Sequence, residues 1–158
     1  MNGRNNKIKA IKPKETVNLV SRKNVYISWF VKEIKWYRIK RQIDDIPKCI
    51  LEGYDIGISI TLTNDKEMER INEKYHNQKA SAEYLVFPNS IHLNDIRIIG
   101  DIFISYNQMV QEAKKNGKSA KYYCQNVLIT SLLDLVFHDP ILKEHIYSIQ
   151  EKAREFII

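Results

Sequence analysis

Residues 127–137, VLITSLLDLVF, constrain the fold more than any other part of the chain. A helix that is apolar on nearly every side has to be buried by other elements of the same domain. The polar residues Thr130, Ser131 and Asp134 interrupt the run, which is also shorter than the roughly 18 residues that a membrane span requires. We therefore expect a buried central helix and no transmembrane segment.

A chain of 158 residues is the size of one domain and buries about 70% of the surface that its unfolded form exposes. We predict a single domain over residues 16–158, preceded by a basic, flexible arm over residues 1–15. The first fourteen residues, MNGRNNKIKAIKPK, carry basic groups and no acid. Three interpretations stay open for this arm: a contact with phosphates, a short organellar presequence, or an unstructured start without a specific role.

Alternating and helical patterns follow one another along the rest of the chain. Strands are predicted at 17–20, in IGISITLTND, in EYLVFP closed by Pro88, and in GDIFIS after a loop at 89–99. The spacing of apolar residues predicts helices over most of 25–51 with a break at Pro47, and at 65–75, 106–116, 119–137 and 141–157. The Asn64-Asp65 pair is expected to cap the helix at 65–75, and Ser119 is expected to cap the helix at 119–137. Strands embedded among helices indicate an α+β fold, with one mixed sheet of about four strands and about five helices.

A polar stripe runs along the predicted central helix. Thr130, Asp134 and His138 are spaced four residues apart and so share one face. On a buried helix such a stripe has to meet hydrogen-bond partners, water in a cleft, or a metal ion. The spacing is that of an H-x-x-x-H zinc motif, but the residues are Thr, Asp and His.

Three segments occur in the order found in one known family: INEKYHNQKASAEYLVFP, GDIFIS and TSLLDLVFHDP. They resemble the motifs of the YbeY endoribonucleases of ribosomal RNA maturation, which read Y-R-G-K-x-K-P-T-D-V-L-S-F-P, G-D-I-x-I-S and H-G-x-L-H-L-x-G-Y-D-H. The preceding LTND and the later Ile149-Gln150-Glu151 match as well. The resemblance covers about residues 55–157 and implies the YbeY fold.

The chain departs from the family at the functional positions. Thr130, Asp134 and Pro140 stand where the family has its three metal-binding histidines, His76 replaces its arginine, and Gln78 replaces a lysine. The positions that persist are expected to support the fold: Tyr75, Leu85, Phe87, Pro88, Gly100, Asp101, Ser105, Leu133 and Leu135. We therefore expect no cofactor, and zinc only if the site has been rebuilt from Asp134 and His138, with His145 as a further candidate ligand.

The resemblance implies a single-strand-specific, zinc-dependent endoribonuclease that acts on small-subunit ribosomal RNA. For this chain we predict a catalytically inactive binding or assembly factor in the bacterial cytoplasm, with an organelle as the alternative compartment. Its expected partners are ribosomal RNA or the small ribosomal subunit, with a ribosomal protein or an assembly GTPase as further candidates, and no membrane. An active endoribonuclease with a rearranged site, and a gene product that keeps the fold without a task, are the alternatives.

Basic residues are the candidates for RNA contact in a chain of net charge +6. The first group of candidates is Lys79, Lys114, Lys115, Lys118 and Lys121. A second basic group, Lys32, Lys35, Arg38, Lys40 and Arg41, is interleaved with aromatic residues, of which Trp29 and Trp36 are expected in the core. His76 is a weaker candidate for a phosphate, because a single imidazole lacks the two-pronged geometry of arginine.

Overall fold

The computed structural model describes residues 24–76 and 82–157. One sheet has the strand order β1-β2-β4-β3, formed by β1 (Val25–Val31), β2 (Ile56–Thr63), β3 (Tyr84–Leu93) and β4 (Ile96–Ser105). Strands β1, β2 and β4 are parallel, whereas β3 runs antiparallel to β4. The sheet is therefore mixed, and the predicted α+β class is confirmed. The basic arm and the strand predicted at 17–20 lie outside the described residues.

Six α-helices accompany the sheet in the described part of the chain: α1 (Trp36–Ile43), α2 (Ile46–Ile50), α3 (Asp65–His76), α4 (Tyr106–Lys115), α5 (Ala120–His138) and α6 (Ile146–Arg154). A short 3-10 helix, Leu142–His145, precedes α6, whereas the sequence predicted one continuous helix over 141–157. Within the ranges that the structure describes, no helix is both long and apolar enough to cross a membrane.

Helix α5 is the centre of the core, as its apolar sequence predicts. Leu128, Leu132 and Leu135 are fully buried and belong to the same hydrophobic cluster as Ile60 of β2 and Met109 of α4. The helix begins at the predicted cap, because the Ser119 hydroxyl accepts a hydrogen bond from the backbone N–H of Tyr122. Helix α5 therefore contacts both the sheet and the neighbouring helices, and it holds those helices on one face of the sheet.

Helix α3 lies against the opposite face of the sheet. Tyr75 and His76, at its carboxyl end, contact Phe87 of β3, whose side chain alternates with that of core-facing Val86. The helix starts as predicted, since Asn64 accepts a hydrogen bond from the backbone N–H of Glu67 at 2.9 Å. The domain therefore has helices on both sides of its sheet.

Residues 25–31 form a strand, so the helix predicted there is wrong. Their side chains alternate between half-buried and exposed, which is the period of an edge strand with one face on a core. The apparent helical spacing of Phe30, Ile34 and Tyr37 joins residues that are all exposed. Trp36 is fully buried and its indole N–H donates to the Thr63 carbonyl at 2.8 Å, which confirms its place in the core.

The region between EYLVFP and GDIFIS is a long hairpin, and not the predicted loop over 89–99. Pro88 does not end its strand, because β3 is the edge of the sheet and a missing N–H is tolerated there. Asn94 and Asp95 connect the strands with φ values of 50° and 65°, the positive values that a type I′ turn requires. The Asn-Asp pair is the turn signal that the sequence contained.

Gly100 brings β4, β3 and α5 into close contact. A Cβ at this position would lie 2.5 Å from the Phe87 carbonyl oxygen and 2.5 Å from a Leu135 methyl group. The carbonyl belongs to a paired backbone and cannot easily move. Gly117, which ends α4 with φ +63°, has no atom within 4 Å of such a Cβ.

Gly100→Ala is therefore expected to lower the free energy of unfolding by more than about 2 kcal/mol, because the added methyl overlaps backbone. Gly117→Ala is the control and should cost only about 1 kcal/mol, from its backbone conformation. Urea unfolding of both variants, followed by circular dichroism, measures the difference. Equal losses would contradict the close packing at Gly100.

Candidate functional site

The polar stripe lies on the outward side of α5. Thr130 and His138 are exposed and Asp134 is half-buried, so the stripe opens to solvent while the rest of the helix packs inward. His138 Nδ1 lies 2.8 Å from the backbone oxygen of Asp134 and 3.2 Å from its Oδ1. The partners of His138 are thus on its own helix, one turn earlier.

This donor set does not fit a zinc ion. Pro140 has no side-chain donor atom, and the hydroxyl of Thr130 is not among the usual zinc ligands. His145 lies elsewhere, with its ring 5.5 Å from that of Tyr54. Across residues 24–76 and 82–157, no three His, Cys, Asp or Glu side chains converge as a ligand group. The structure therefore does not bring Asp134, His138 and His145 together.

Asp139 follows the stripe and forms a buried ion pair. Its carboxylate accepts hydrogen bonds from both terminal nitrogens of Arg97 on β4, and from the backbone N–H of Leu142 at 2.9 Å. Burial alone would raise the pKa of Asp139, but the bonds from Arg97 and Leu142 outweigh it and hold this pKa below its ordinary value. The pair fixes the end of α5 against the sheet.

The two motifs LTND and GDIFIS meet at the carboxyl end of the sheet. Asp65, the last residue of LTND, accepts hydrogen bonds from the Ser105 hydroxyl and from the backbone N–H of Gln108 at 3.2 Å. A carboxylate at the start of α4 is favoured by the helix dipole. Asp101 accepts from the Ser59 hydroxyl and from the Asn89 amide. The polar residues of these two motifs therefore join elements of the fold.

Glu83 is a residue that the sequence interpretation missed. Its carboxylate accepts a hydrogen bond from the hydroxyl of Tyr123 at 3.2 Å, beside the outward face of α5. Burial raises the pKa of Glu83, and burial together with Glu83 raises the pKa of Tyr123 to about 12. An acidic residue at the start of the apolar strand EYLVFP was the available signal. The contact ties the start of β3 to α5.

His76 lies at the end of α3 and is exposed. Its ring is stacked on Phe87, with 5.4 Å between centroids and 19° between planes. The sequence also allowed an exposed loop histidine without a role, but the structure places His76 at a helix end, packed on an aromatic ring. No arginine-like contact with a phosphate is implied by this geometry alone.

The lysine candidates surround the turn between α4 and α5. Lys114 and Lys115 are in the last turn of α4, and Lys118 and Lys121 flank the start of α5, all of them exposed. Lys115 is 3.1 Å from Glu112 Oε1, and the Lys118 ammonium is 5.1 Å from the ring centroid of Tyr122. Lys79 and Gln78 lie outside the residues that the structure describes.

The second basic group is partly engaged with the protein itself. The Lys40 ammonium lies 5.3 Å from the Trp29 ring centroid and 3.4 Å from Asp44 Oδ2, and Lys35 lies 6.0 Å from the Tyr106 centroid. Trp29 packs against the core from β1. Trp29 and Trp36 therefore support the fold, as expected.

Comparison with known proteins extends the motif resemblance to nearly the whole described chain. The family model described as Endoribonuclease YbeY matches residues 27–157. Endoribonuclease YbeY of Bartonella quintana is 27% identical over 139 residues, covering 81% of this chain and 88% of the relative. Endoribonuclease YbeY of Mycoplasma mycoides is 31% identical over 92 residues, covering 55% and 56%. A Thermotoga maritima protein solved in solution has a similar fold, with TM-score 0.51, 19% identity, and coverage of 84% and 85%.

The buried ion pair generates a prediction about stability. Asp139→Asn leaves the Arg97 guanidinium buried without its counter-charge, so the free energy of unfolding at neutral pH should fall by about 3 to 5 kcal/mol. Asp44→Asn, which removes a half-exposed pair with Lys40, should cost less than about 1 kcal/mol. Chemical denaturation of the two variants decides whether the Arg97–Asp139 pair anchors α5, and similar losses would argue against it.

The same pair predicts a pH dependence. The pKa of Asp139 is lower in the folded than in the unfolded chain. Its contribution to the free energy of unfolding is therefore complete above about pH 4, the pKa in the unfolded chain, and is lost as the pH falls through the folded pKa. The unfolding midpoint of the wild type should therefore decrease more steeply below about pH 4 than that of Asp139→Asn. Parallel curves would contradict the lowered pKa.

Proposed function

The chain belongs to the YbeY endoribonuclease family, and on that basis we propose that it serves ribosomal RNA maturation by binding RNA or the small ribosomal subunit, without the family's metal-dependent cleavage. The family assignment places it among endoribonucleases of ribosomal RNA maturation. The proposal concerns the finer role. The chain is then a binding or assembly factor that keeps the contact with RNA without the metal chemistry.

The observation that carries the proposal is the set of residues that align with the family's three metal-binding histidines. Thr130, Asp134 and Pro140 occupy the positions of the three histidines, and together they offer one carboxylate in place of three imidazoles. A catalytic metal ion polarises a phosphate or activates water only while its ligands hold it. Because changes around a ligand already cost about 10- to 100-fold in affinity, losing all three imidazoles supports a role without metal.

The lysines at the α4–α5 turn support a contact with RNA. Lys114, Lys115, Lys118 and Lys121 form an exposed positive surface on a chain of net charge +6. Lysine ammonium groups bind phosphates and release counterions from the RNA. This contribution to the binding free energy requires no recognition of the bases. We propose this surface, the α4–α5 lysine patch, as the phosphate-binding part of the molecule, with ribosomal RNA as its ligand.

One contact supports an alternative function. Asp134 Oδ1 and His138 Nδ1 lie 3.2 Å apart on adjacent turns, so a carboxylate and an imidazole are side by side at the family's site. In an active endoribonuclease with a rearranged site, these two residues would carry the chemistry. Substitution of Asp134 distinguishes the two: it should abolish cleavage by a rearranged nuclease and leave a binding role unchanged.

Metal content and cleavage test this point. Untagged purified protein is expected to contain zinc and manganese far below one ion per chain, and Asp134→Ala should leave oligonucleotide binding unchanged, as should Asp45→Ala as a control. Elemental mass spectrometry gives the metal content. About one ion per chain, with single-strand cleavage that chelator and Asp134→Ala both abolish, would establish the rearranged nuclease instead.

The α4–α5 lysine patch is tested by paired variants of equal net charge. Lys118→Ala/Lys121→Ala should weaken binding of a single-stranded RNA and reduce the slope of log affinity against log salt by about 1.4, which is about 0.7 for each lost contact. Lys48→Ala/Lys143→Ala, on other elements, should change neither. Fluorescence anisotropy across a salt series measures both quantities. A binding constant insensitive to salt would rule out phosphate contact.

A further inference from the structure

Three aromatic rings are packed in series between the sheet and the end of α3, and a fourth packs against the middle ring. Phe103 of β4 meets Phe87 of β3 edge-on at 5.6 Å, and the His76 ring lies nearly parallel on Phe87 at 5.4 Å. Tyr75 packs edge-on against the same Phe87 at 5.2 Å. The series leads from the half-buried Phe103 to the exposed His76, so it ends at the surface of the protein.

The outer two rings are not covered by the described part of the chain. Tyr75 keeps 59% of its surface exposed although it contacts Phe87, and His76 is exposed while one of its faces rests on Phe87. The opposite face of the His76 ring therefore points away from the sheet. The two rings therefore leave aromatic surface accessible at the end of α3.

A positive charge accompanies these rings. The Lys74 ammonium lies 5.2 Å from the centroid of Tyr75, at the edge of the same surface. Aromatic faces stack on unpaired bases, and a neighbouring ammonium neutralises the phosphate of the same nucleotide. Lys74, Tyr75 and His76 thus combine both requirements for holding a nucleotide of a single strand.

We propose that this surface is a base-stacking subsite for single-stranded RNA, in which an unpaired base stacks on the outer face of His76 beside Tyr75 and Lys74 contacts its phosphate. The inference rests on the proposed function and adds a base-binding element to the phosphate-binding α4–α5 lysine patch. Because every base has an aromatic face, the subsite tolerates sequence. It makes RNA binding depend on unpaired bases as well as on charge.

The first test compares two ligands with the same backbone. A short single-stranded RNA and an abasic oligonucleotide of equal length are titrated by fluorescence anisotropy with wild type, Tyr75→Leu and His76→Ala. The wild type should bind the RNA about 5- to 150-fold more tightly than the abasic strand, the range for stacking one base. Both variants should lose most of this preference, while Tyr75→Phe keeps it because the ring remains.

Matched controls make the same changes elsewhere. Tyr147→Leu removes a tyrosine that is 81% exposed on α6, and His92→Ala removes an exposed histidine of β3. Neither should alter the preference for bases. Circular dichroism confirms that the variants are folded, and cross-linking of a 4-thiouridine strand should label the peptide that contains Tyr75 and His76.

The outcomes separate this inference from the proposed function. If the Lys118→Ala/Lys121→Ala pair weakens binding but RNA and abasic strand bind equally, the stacking subsite is refuted and the binding role stands. If Tyr75→Leu affects the two ligands equally, the ring acts only through the fold and the subsite is again refuted. If the wild type binds neither the RNA nor the abasic strand, both proposals are refuted.

Discussion

The burial of α5 is the interaction on which the rest of the molecule depends. Its leucines pack on the sheet and on the neighbouring helices, and its end is tied to β4 by the ion pair between Asp139 and Arg97. Apolar burial is the larger and less directional part of this attachment, whereas the ion pair fixes the position of the helix end. Gly100 allows the close approach that lets Leu135 reach β4.

Because of this attachment, α5 has buried sides that pack on the core and one side that faces solvent. Because α5 is held by its apolar sides, the face with Thr130, Asp134 and His138 is free to change without loss of the core. The core therefore depends on the buried sides of this helix, whereas the polar stripe lies on its outward side. A change of residue on the outward side is therefore compatible with a chain that keeps the fold of the YbeY family.

The sequence predicted the elements whose patterns were strong. The apolar α5, the alternating β2, and the caps at Asn64 and Ser119 are all confirmed, because each rests on local chemistry. Residues 25–31 were misassigned since a strand with aromatic residues on both faces also matches a helical spacing over a few positions.

The site was less predictable than the fold. The polar stripe could be read from the sequence, but the sequence did not show that Thr130 and His138 are exposed while Asp134 is half-buried. The bonds of Asp139 with Arg97, and of Glu83 with Tyr123, join residues about forty positions apart in sequence. The ring series ending at His76 depends on the packing of α3 across the sheet, which no local pattern specifies.

The tight turn at Asn94 and Asp95 has a consequence for the order of folding. Strands β3 and β4 are joined by two residues, so their pairing closes almost no loop, whereas the parallel pairs of β1 with β2 and of β2 with β4 each enclose a long crossover. Hairpins form within microseconds, and distant pairings are slower. The hairpin is therefore the part of the sheet that can form first, and β4 then offers its other edge as the template for β2.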